Sequence, residues 1–412
     1  MIELLCPAGG MDQLKAALRY GADAVYGGAR RFGLRAFAGN FSMEELAEAV
    51  RLCHEKGKKF YITLNILPYD EDMEEMTAVA AEACALGVDA AIVSDLGAIA
   101  RLRREVPGLP IHVSTQANVM NTEAANVMIG LGAERIVLAR ELSLERIKKL
   151  RASIPASVEL EAFVHGAMCM SFSGRCMLSD HMIGRGGNKG ACAQPCRWEY
   201  AIMEVKREGM YMPIAEDERG TYLLSAYDLC MLEHLPEMID AGIVSLKIEG
   251  RMKTANYVAA VTYVYRAALD ALQRSEAEYR ALVPQLLEEL KKSSHRDWNT
   301  GFFFGNPAPA SGAEGFSQTM EFTGDVTGFE KGENGAPNRV AVRIKNRFFV
   351  GDTLDALTPE GSVKVNVLGI VTADGTPVDT VSIAGQTVTV LTDARLSAGD
   401  ILRGPNRNHQ KK

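Results

Sequence analysis

Between Ile2 and Arg274 the chain repeats one unit. A short β-branched or apolar run ends in polar residues, and a longer stretch follows with apolar residues every three to four positions. The first texture is that of a strand buried on both faces, the second that of an amphipathic helix. The pattern predicts strands over 2–6, 24–26, 60–65, 90–93, 111–113, 135–138, 158–164 and 243–248. Helices are predicted between them, over 11–20, 43–56, 72–86, 98–106, 122–131, 144–154 and 257–274. Helix ends carry matching signals: Ser42 with Glu45 reads as a capping box, Ser143 as an N-cap, and Gly21 and Gly132 follow helical faces. Eight such units in residues 1–274 predict a (β/α)8 TIM-like barrel, with an open doubly wound sheet as the alternative.

The repeat is interrupted once. About 166–241, between the seventh and eighth strands, hold most of the Cys, Gly and Arg signals. In a barrel this insertion emerges at the C-terminal face of the strands, where active sites lie. Residues 275–319 read as a helical linker that includes a Trp298…Gly301-Phe302-Phe303-Phe304-Gly305 segment. Residues 320–412 change to short alternating runs with turns, the texture of a small antiparallel β-barrel domain. Net charge is −7 overall but +3 over 335–412, a weak basic signal for RNA that a solvated face explains better. No uncharged apolar run is long enough to span a bilayer, and no basic segment precedes an apolar one at the start, so a cytoplasmic protein without a membrane segment is expected.

Eight cysteines in 412 residues are too sparse for a disulfide scaffold. Cys6, Cys53 and Cys84 lie in apolar stretches and read as buried hydrophobes. Cys169, Cys176, Cys192, Cys196 and Cys230 are separated by six, fifteen, three and thirty-three residues. Four thiolates suit an iron–sulfur cluster or a structural zinc, and reactive thiols are the third reading. No Cys-x2-Cys knuckle of the zinc-ribbon kind occurs. At the predicted mouth, Arg140, Lys247 and Arg251 are candidates for binding a dicarboxylate, with Asn65 and Gln116 beside them. Glu141, Glu161 and Glu249 are candidate proton carriers, and His165 adjoins the Cys segment. Arg175, Arg185, Lys189 and Arg197, with Phe172 and Trp198, offer charge and stacking faces for RNA. A peptidase would need an activated nucleophile or a metal-bound water, and neither His-Glu-x2-His nor Gly-x-Ser-x-Gly occurs.

The segment Glu161-x-Phe163-x2-Gly166-Ala167-Met168-Cys169-x4-Gly174-x-Cys176-x-Leu178-Ser179 resembles the signature of the collagenase-like peptidase family U-32. Cys6-Pro7-Ala8-Gly9-Gly10, Ala24-Val25-Tyr26-Gly27-Gly28 and Lys247-Ile248-Glu249-Gly250-Arg251 are similar to it too. The resemblance implies one of two activities. One is proteolysis of unassigned catalytic type. The other is oxygen-independent hydroxylation of tRNA wobble uridine to 5-hydroxyuridine with prephenate, or of an rRNA cytidine or a quinone ring. The form with a C-terminal β-domain points to tRNA as partner. The resemblance further implies a four-iron four-sulfur (4Fe-4S) cluster on Cys169, Cys176, Cys192 and Cys230, with Cys196 as an alternative fifth, and a possible second U-32 subunit. A non-catalytic, zinc-binding assembly protein is the remaining alternative.

Overall fold

The computed structural model describes residues 2–35, 38–169, 171–172, 175–198, 227–306, 317–333 and 335–407, and the backbone of 202–203 and 211–212. Eight parallel strands form its first module: β1 (Glu3–Pro7), β2 (Ala24–Gly28), β3 (Lys59–Leu64), β4 (Ala90–Val93), β5 (Ile111–Val113), β6 (Ala133–Val137), β7 (Glu159–Ala167) and β8 (Ser245–Ile248). Each pairs with its successor, except that β8 follows the insertion. Strand β8 bonds β7 on one side (Ser245 opposite Glu161) and β1 on the other (Ser245 opposite Glu3), which closes the barrel. Helices α1 (Met11–Arg19), α2 (Met43–Glu55), α3 (Asp70–Ala85), α4 (Leu96–Glu105), α5 (Thr122–Gly130), α6 (Leu144–Ala152), α7 (Leu235–Asp240) and α8 (Ala255–Arg274) follow the strands in turn. The capping box of Ser42 and Glu45 starts α2, and the Ser143 hydroxyl caps α6.

Outward-facing strand residues such as Leu4, Val25, Phe60, Ile62 and Val93 pack beneath the helices in one continuous core. The inward face is different. A small apolar group, Leu5, Ala24, Tyr26, Tyr61, Ala90 and Ile92, shares it with charged side chains. At the upper end of β7, a short strand, Asp228–Cys230, adds on in antiparallel sense, and Trp298–Asn299 adds on to that strand.

Helix α9 (Glu276–Lys291) leads to the second module. There β9 (Met320–Glu330), β10 (Asn338–Ile344), β11 (Thr353–Thr358), β12 (Gly361–Asn366), β13 (Gly369–Val371), β14 (Pro377–Val378), β15 (Thr387–Thr392) and β16 (Ile401–Pro405) form one antiparallel sheet. Its order is β12-β11-β16-β9-β10-β15-β13-β14. Residues from both ends of that order, Val365 and Ile370 among them, share one core with Val340, Val388 and Leu402, so the sheet curls round its own interior.

The modules are stapled together. Tyr20 Oη donates to the Leu357 carbonyl at 2.6 Å, and Arg19 meets Asp400 at 2.5 Å. Arg403, wholly buried, reaches Glu289 of α9 at 2.6 Å and also pairs with Asp355. Removing one partner of a buried ion pair leaves an uncompensated charge, at a cost of about 3–5 kcal/mol. Lys292 Nζ also meets Glu289 at 2.7 Å and Asp355 at 3.3 Å, so Arg403→Met is expected to lower the unfolding free energy by less than that, about 1–3 kcal/mol, read from urea unfolding. A loss under about 1 kcal/mol would mean that Glu289 and Asp355 find water instead.

Candidate active site at the barrel mouth

Alternation along the strands sends Glu3, Tyr61, Arg135, Glu161, Ser245 and Lys247 into the barrel, where an unpaired charge is costly. They satisfy one another. Glu161, fully buried, accepts from Lys247 Nζ at 2.7 Å, Arg135 Nη1 at 3.0 Å and Ser245 Oγ at 3.3 Å. Below it, Glu3 accepts from Arg135 at 2.5 Å, Ser245 at 2.7 Å and Tyr61 at 2.7 Å. Burial pushes the Glu161 carboxyl up, but Lys247 and Arg135 outweigh it and hold the group below the ordinary carboxylate value. The Lys247 ammonium lies 4.4 Å from the centre of the Tyr26 ring and faces upward into a cavity.

That cavity, of about 960 Å³ including its opening, occupies the C-terminal end of the barrel. Glu249 forms part of its wall and meets Arg35 Nη2 at 3.1 Å. Burial pushes this carboxyl up too, and Arg35, Arg140 and Arg251 more than compensate, so it is held below the usual range. Arg251 is committed to the β2–α2 loop: it donates to the Leu34 carbonyl at 2.6 Å, Thr63 Oγ1 at 2.9 Å and Asn40 Oδ1 at 2.5 Å. Asn65 Oδ1 accepts from the Leu34 N–H at 3.1 Å. A Cβ on Gly28 would lie 2.2 Å from Arg251 Nη2, which explains the residue without a side chain there. Arg140 and Gln116 also line the cavity. Arg140 donates to the Ala167 carbonyl at 3.1 Å and lies 5.5 Å from the centre of the Phe163 ring. Gln116 Oε1 is buried without a hydrogen-bond partner.

The Cys segment closes over this mouth. Cys169, Cys176 and Cys192 all line the cavity. Cys192 Sγ accepts the Gln194 N–H at 3.3 Å, a contact that stabilises thiolate ligands of metal centres. A Cβ on Gly187 would lie 3.6 Å from Cys192 Cβ and 3.7 Å from the Cys176 carbonyl, so the loop is tightly folded round these two residues. Lys189 ties the loop to Asp72 at 2.5 Å and lies over the Tyr69 ring. Cys230 comes from the Asp228–Cys230 strand, opposite His165, with its sulfur 3.8 Å from Tyr265 Oη; burial pushes its thiol up to about 11. Neither Cys230 nor Cys196 belongs to the cavity wall. Among the described residues, no three His, Cys, Asp or Glu side chains are gathered closely enough to hold a metal ion. Cys169, Cys176 and Cys192 thus match thiolate-bound iron or zinc in donor type only: they share one wall without being drawn together, and Cys230 stands apart. Gly174 and the side chain of Arg197 lie outside the described residues.

The other predicted residues divide. His165 does not line the cavity. Its ring packs among Tyr265, Tyr257 and Trp298, with Nδ1 3.4 Å from Tyr265 Oη, and burial drops its pKa to about 3. Glu141 also lies outside the wall, and burial raises its carboxyl, alone among the three glutamates proposed for proton transfer. Sequence reading missed Arg35, which sits seven residues past the end of β2 with φ 81°. Reading strand ends alone does not reach it; the run Arg30-Arg31…Arg35 just after a strand end was the available signal.

Residues 9–312 match Peptidase family U32, and residues 318–403 match the Peptidase family U32 C-terminal domain. The chain belongs to peptidase family U32. Among U32 relatives, tRNA hydroxylation protein P of Escherichia coli is 35% identical, with 90% of each chain covered. tRNA hydroxylation protein P1 of Bacillus subtilis is 38% identical, covering 87% of this chain and 84% of that one. An uncharacterized protease of Methanocaldococcus jannaschii is 42% identical over 74% of this chain and 73% of its own.

The floor of the U32 mouth supplies a pH test. Glu161 contributes stability that is complete above the ordinary carboxylate value of about 4.5 and is lost as pH falls through its lower folded value. Glu161→Gln is expected to cost about 3–5 kcal/mol at neutral pH, because Lys247 stays buried without its anion while Arg135 keeps Glu3 and Glu159. It is also expected to flatten the acid limb of stability against pH. Urea unfolding across a pH series checks both, and identical acid limbs would refute the assignment.

Proposed function

We propose that this chain hydroxylates RNA, with the wobble uridine of tRNA as target, prephenate as hydroxyl source and no requirement for oxygen. The observation that carries this is likeness to two tRNA hydroxylation proteins along both modules, not the barrel alone. A base must leave its stack to reach a barrel mouth, and the cavity opens to solvent there. Gln116 lines the same cavity, with its Oε1 buried and unpartnered. Lys247 and Arg140 give the same cavity positive charge, suited to a carboxylate co-substrate. Glu161 and Glu249, both held ionised, keep Lys247 and Arg35 in place. Arg251 and Asn65 act on substrate through the loop they hold.

Cys169, Cys176 and Cys192, with Cys230 as the fourth ligand and Cys196 as its alternative, would hold a 4Fe-4S cluster. Bound there, such a cluster supplies one-electron chemistry. Zinc is the rival occupant. A thiol-peptidase version of the alternative would need a thiolate beside an imidazole; Cys169 lines the mouth while His165 packs against Tyr265.

Nucleoside mass spectrometry of tRNA from a strain lacking this chain is expected to show loss of 5-hydroxyuridine, restored by wild type and not by Cys192→Ala. Protein purified without air is expected to carry about four irons and four sulfides per chain. Unchanged tRNA, together with gelatin cleavage by the purified protein, would overturn the proposal in favour of the peptidase. One zinc in place of iron would overturn the cluster.

A further inference from the structure

The Trp298–Asn306 segment has no part in the cavity, yet its backbone is held in an unusual shape at the same rim. Trp298–Asn299 extends the strand that lies against the upper end of β7. Asn299 Oδ1 accepts the Gly301 N–H at 2.9 Å, and Gly301 (φ 54°) turns the chain where a Cβ would lie 3.5 Å from Met168 Cε, one residue before Cys169. The Phe303 carbonyl accepts the Leu144 N–H at 3.0 Å, which fixes the segment to the start of α6, just beyond Arg140 and Glu141. Phe303 is buried by this arrangement, whereas Phe304 is 55% exposed.

A second cavity of about 690 Å³, including its opening, results. Tyr227, Trp298 and Phe304 contribute rings to it; Asn299, Thr300 and Asn306 contribute polar groups, and no charged side chain lines it. Phe304 rests on the His234 ring (centroids 4.6 Å apart), and Trp298 on His295 (4.4 Å), so both rings are backed from behind. Supported aromatic faces beside amide and hydroxyl groups, without charge, suit a flat neutral ring with a hydrogen-bonding edge. An unstacked nucleobase has that chemistry.

We infer that this cavity is a shelf on which a base adjoining the target nucleotide stacks, with Phe304 as its main face. The inference rests on the RNA reading above and adds a second binding subsite to it. A shelf at the rim would hold the strand open while the target base occupies the mouth.

The test measures binding of a labelled anticodon stem–loop RNA to the full-length protein at fixed salt, for wild type, Phe304→Ala and Phe304→Tyr. Abasic nucleotides are placed at each loop position in turn. Stacking of one base on an aromatic side chain is worth about 1–3 kcal/mol, so Phe304→Ala is expected to weaken binding about 5- to 150-fold, and Phe304→Tyr to retain it. One abasic position is expected to weaken wild type by a similar factor and to leave Phe304→Ala unaffected. Equal binding by wild type and Phe304→Ala, or abasic penalties identical in both, would overturn the shelf while leaving the RNA reading intact. Failure of wild type to bind the RNA at all would overturn both.

Discussion

Glu161 is the group on which the barrel interior turns. A carboxylate removed from water inside a closed sheet needs cations with good geometry and further hydrogen bonds. Here Lys247, Arg135 and Ser245 supply them, from β8, β6 and β8 respectively. Glu3 on β1 takes a further N–H of Arg135 and the Ser245 hydroxyl, whose one O–H it shares with Glu161. Charge is thereby matched from the lower end of the barrel up to the floor of the mouth, where Lys247 is left facing the cavity. The ammonium has little freedom of its own, since a fully buried partner on the facing strand sets its height and direction. A cation held this way keeps its position whether or not an anion is bound above it, which is preorganisation in its plainest form.

The same logic builds the walls. The β2–α2 loop crosses the mouth because Arg251 and Asn65 grip Leu34 from two sides, and that grip delivers Arg35 to Glu249. The cavity is consequently lined by side chains whose own partners are protein atoms of strands and loops far apart in sequence. Arg251 and its acceptor Leu34 are 217 residues apart. Such a wall forms only when the barrel closes, so the site and the fold stand or fall together.

Distance in sequence also decides what was legible before the structure. Local signals served well: the predicted spans 90–93 and 111–113 coincide with β4 and β5, and the caps at Ser42 and Ser143 are present. Proximity of Cys169, Cys176 and Cys192 to the mouth followed from where the interruption falls in the strand–helix repeat. What local signals could not tell is which polar strand-end residues meet substrate and which meet each other. Arg251 read as a carboxylate binder; it lines the cavity, and its donors also hold Leu34, Thr63 and Asn40. His165 shows a second kind of failure. Counting alternately from Glu161 and Phe163 points it into the mouth, but the β7–β8 pairing shifts register between Lys247 and Ile248, and the imidazole lies among aromatic rings behind the wall. A one-residue irregularity reverses the face of everything beyond it, and nothing in the composition of β7 announces one.

The arrangement of the five clustered cysteines follows from the same contrast between strand and loop. Cys230 sits in a ladder with His165, beside a Tyr265 hydroxyl that also accepts the Met231 N–H and donates to the Val164 carbonyl. Its position is set by the barrel. Cys169, Cys176 and Cys192 belong to a loop held by contacts that include Lys189 to Asp72 and the Leu67 N–H to the Asn188 carbonyl. Where one donor stands on rigid structure and three on a loop, assembly of a four-thiolate site requires the loop to adapt to the strand. Met168 joins the two: it is buried beneath Gly301 of the Trp298–Asn306 turn and immediately precedes Cys169. The turn and the start of the Cys loop therefore share Met168 as a neighbour, so a change that shifts one of them meets the other through this side chain.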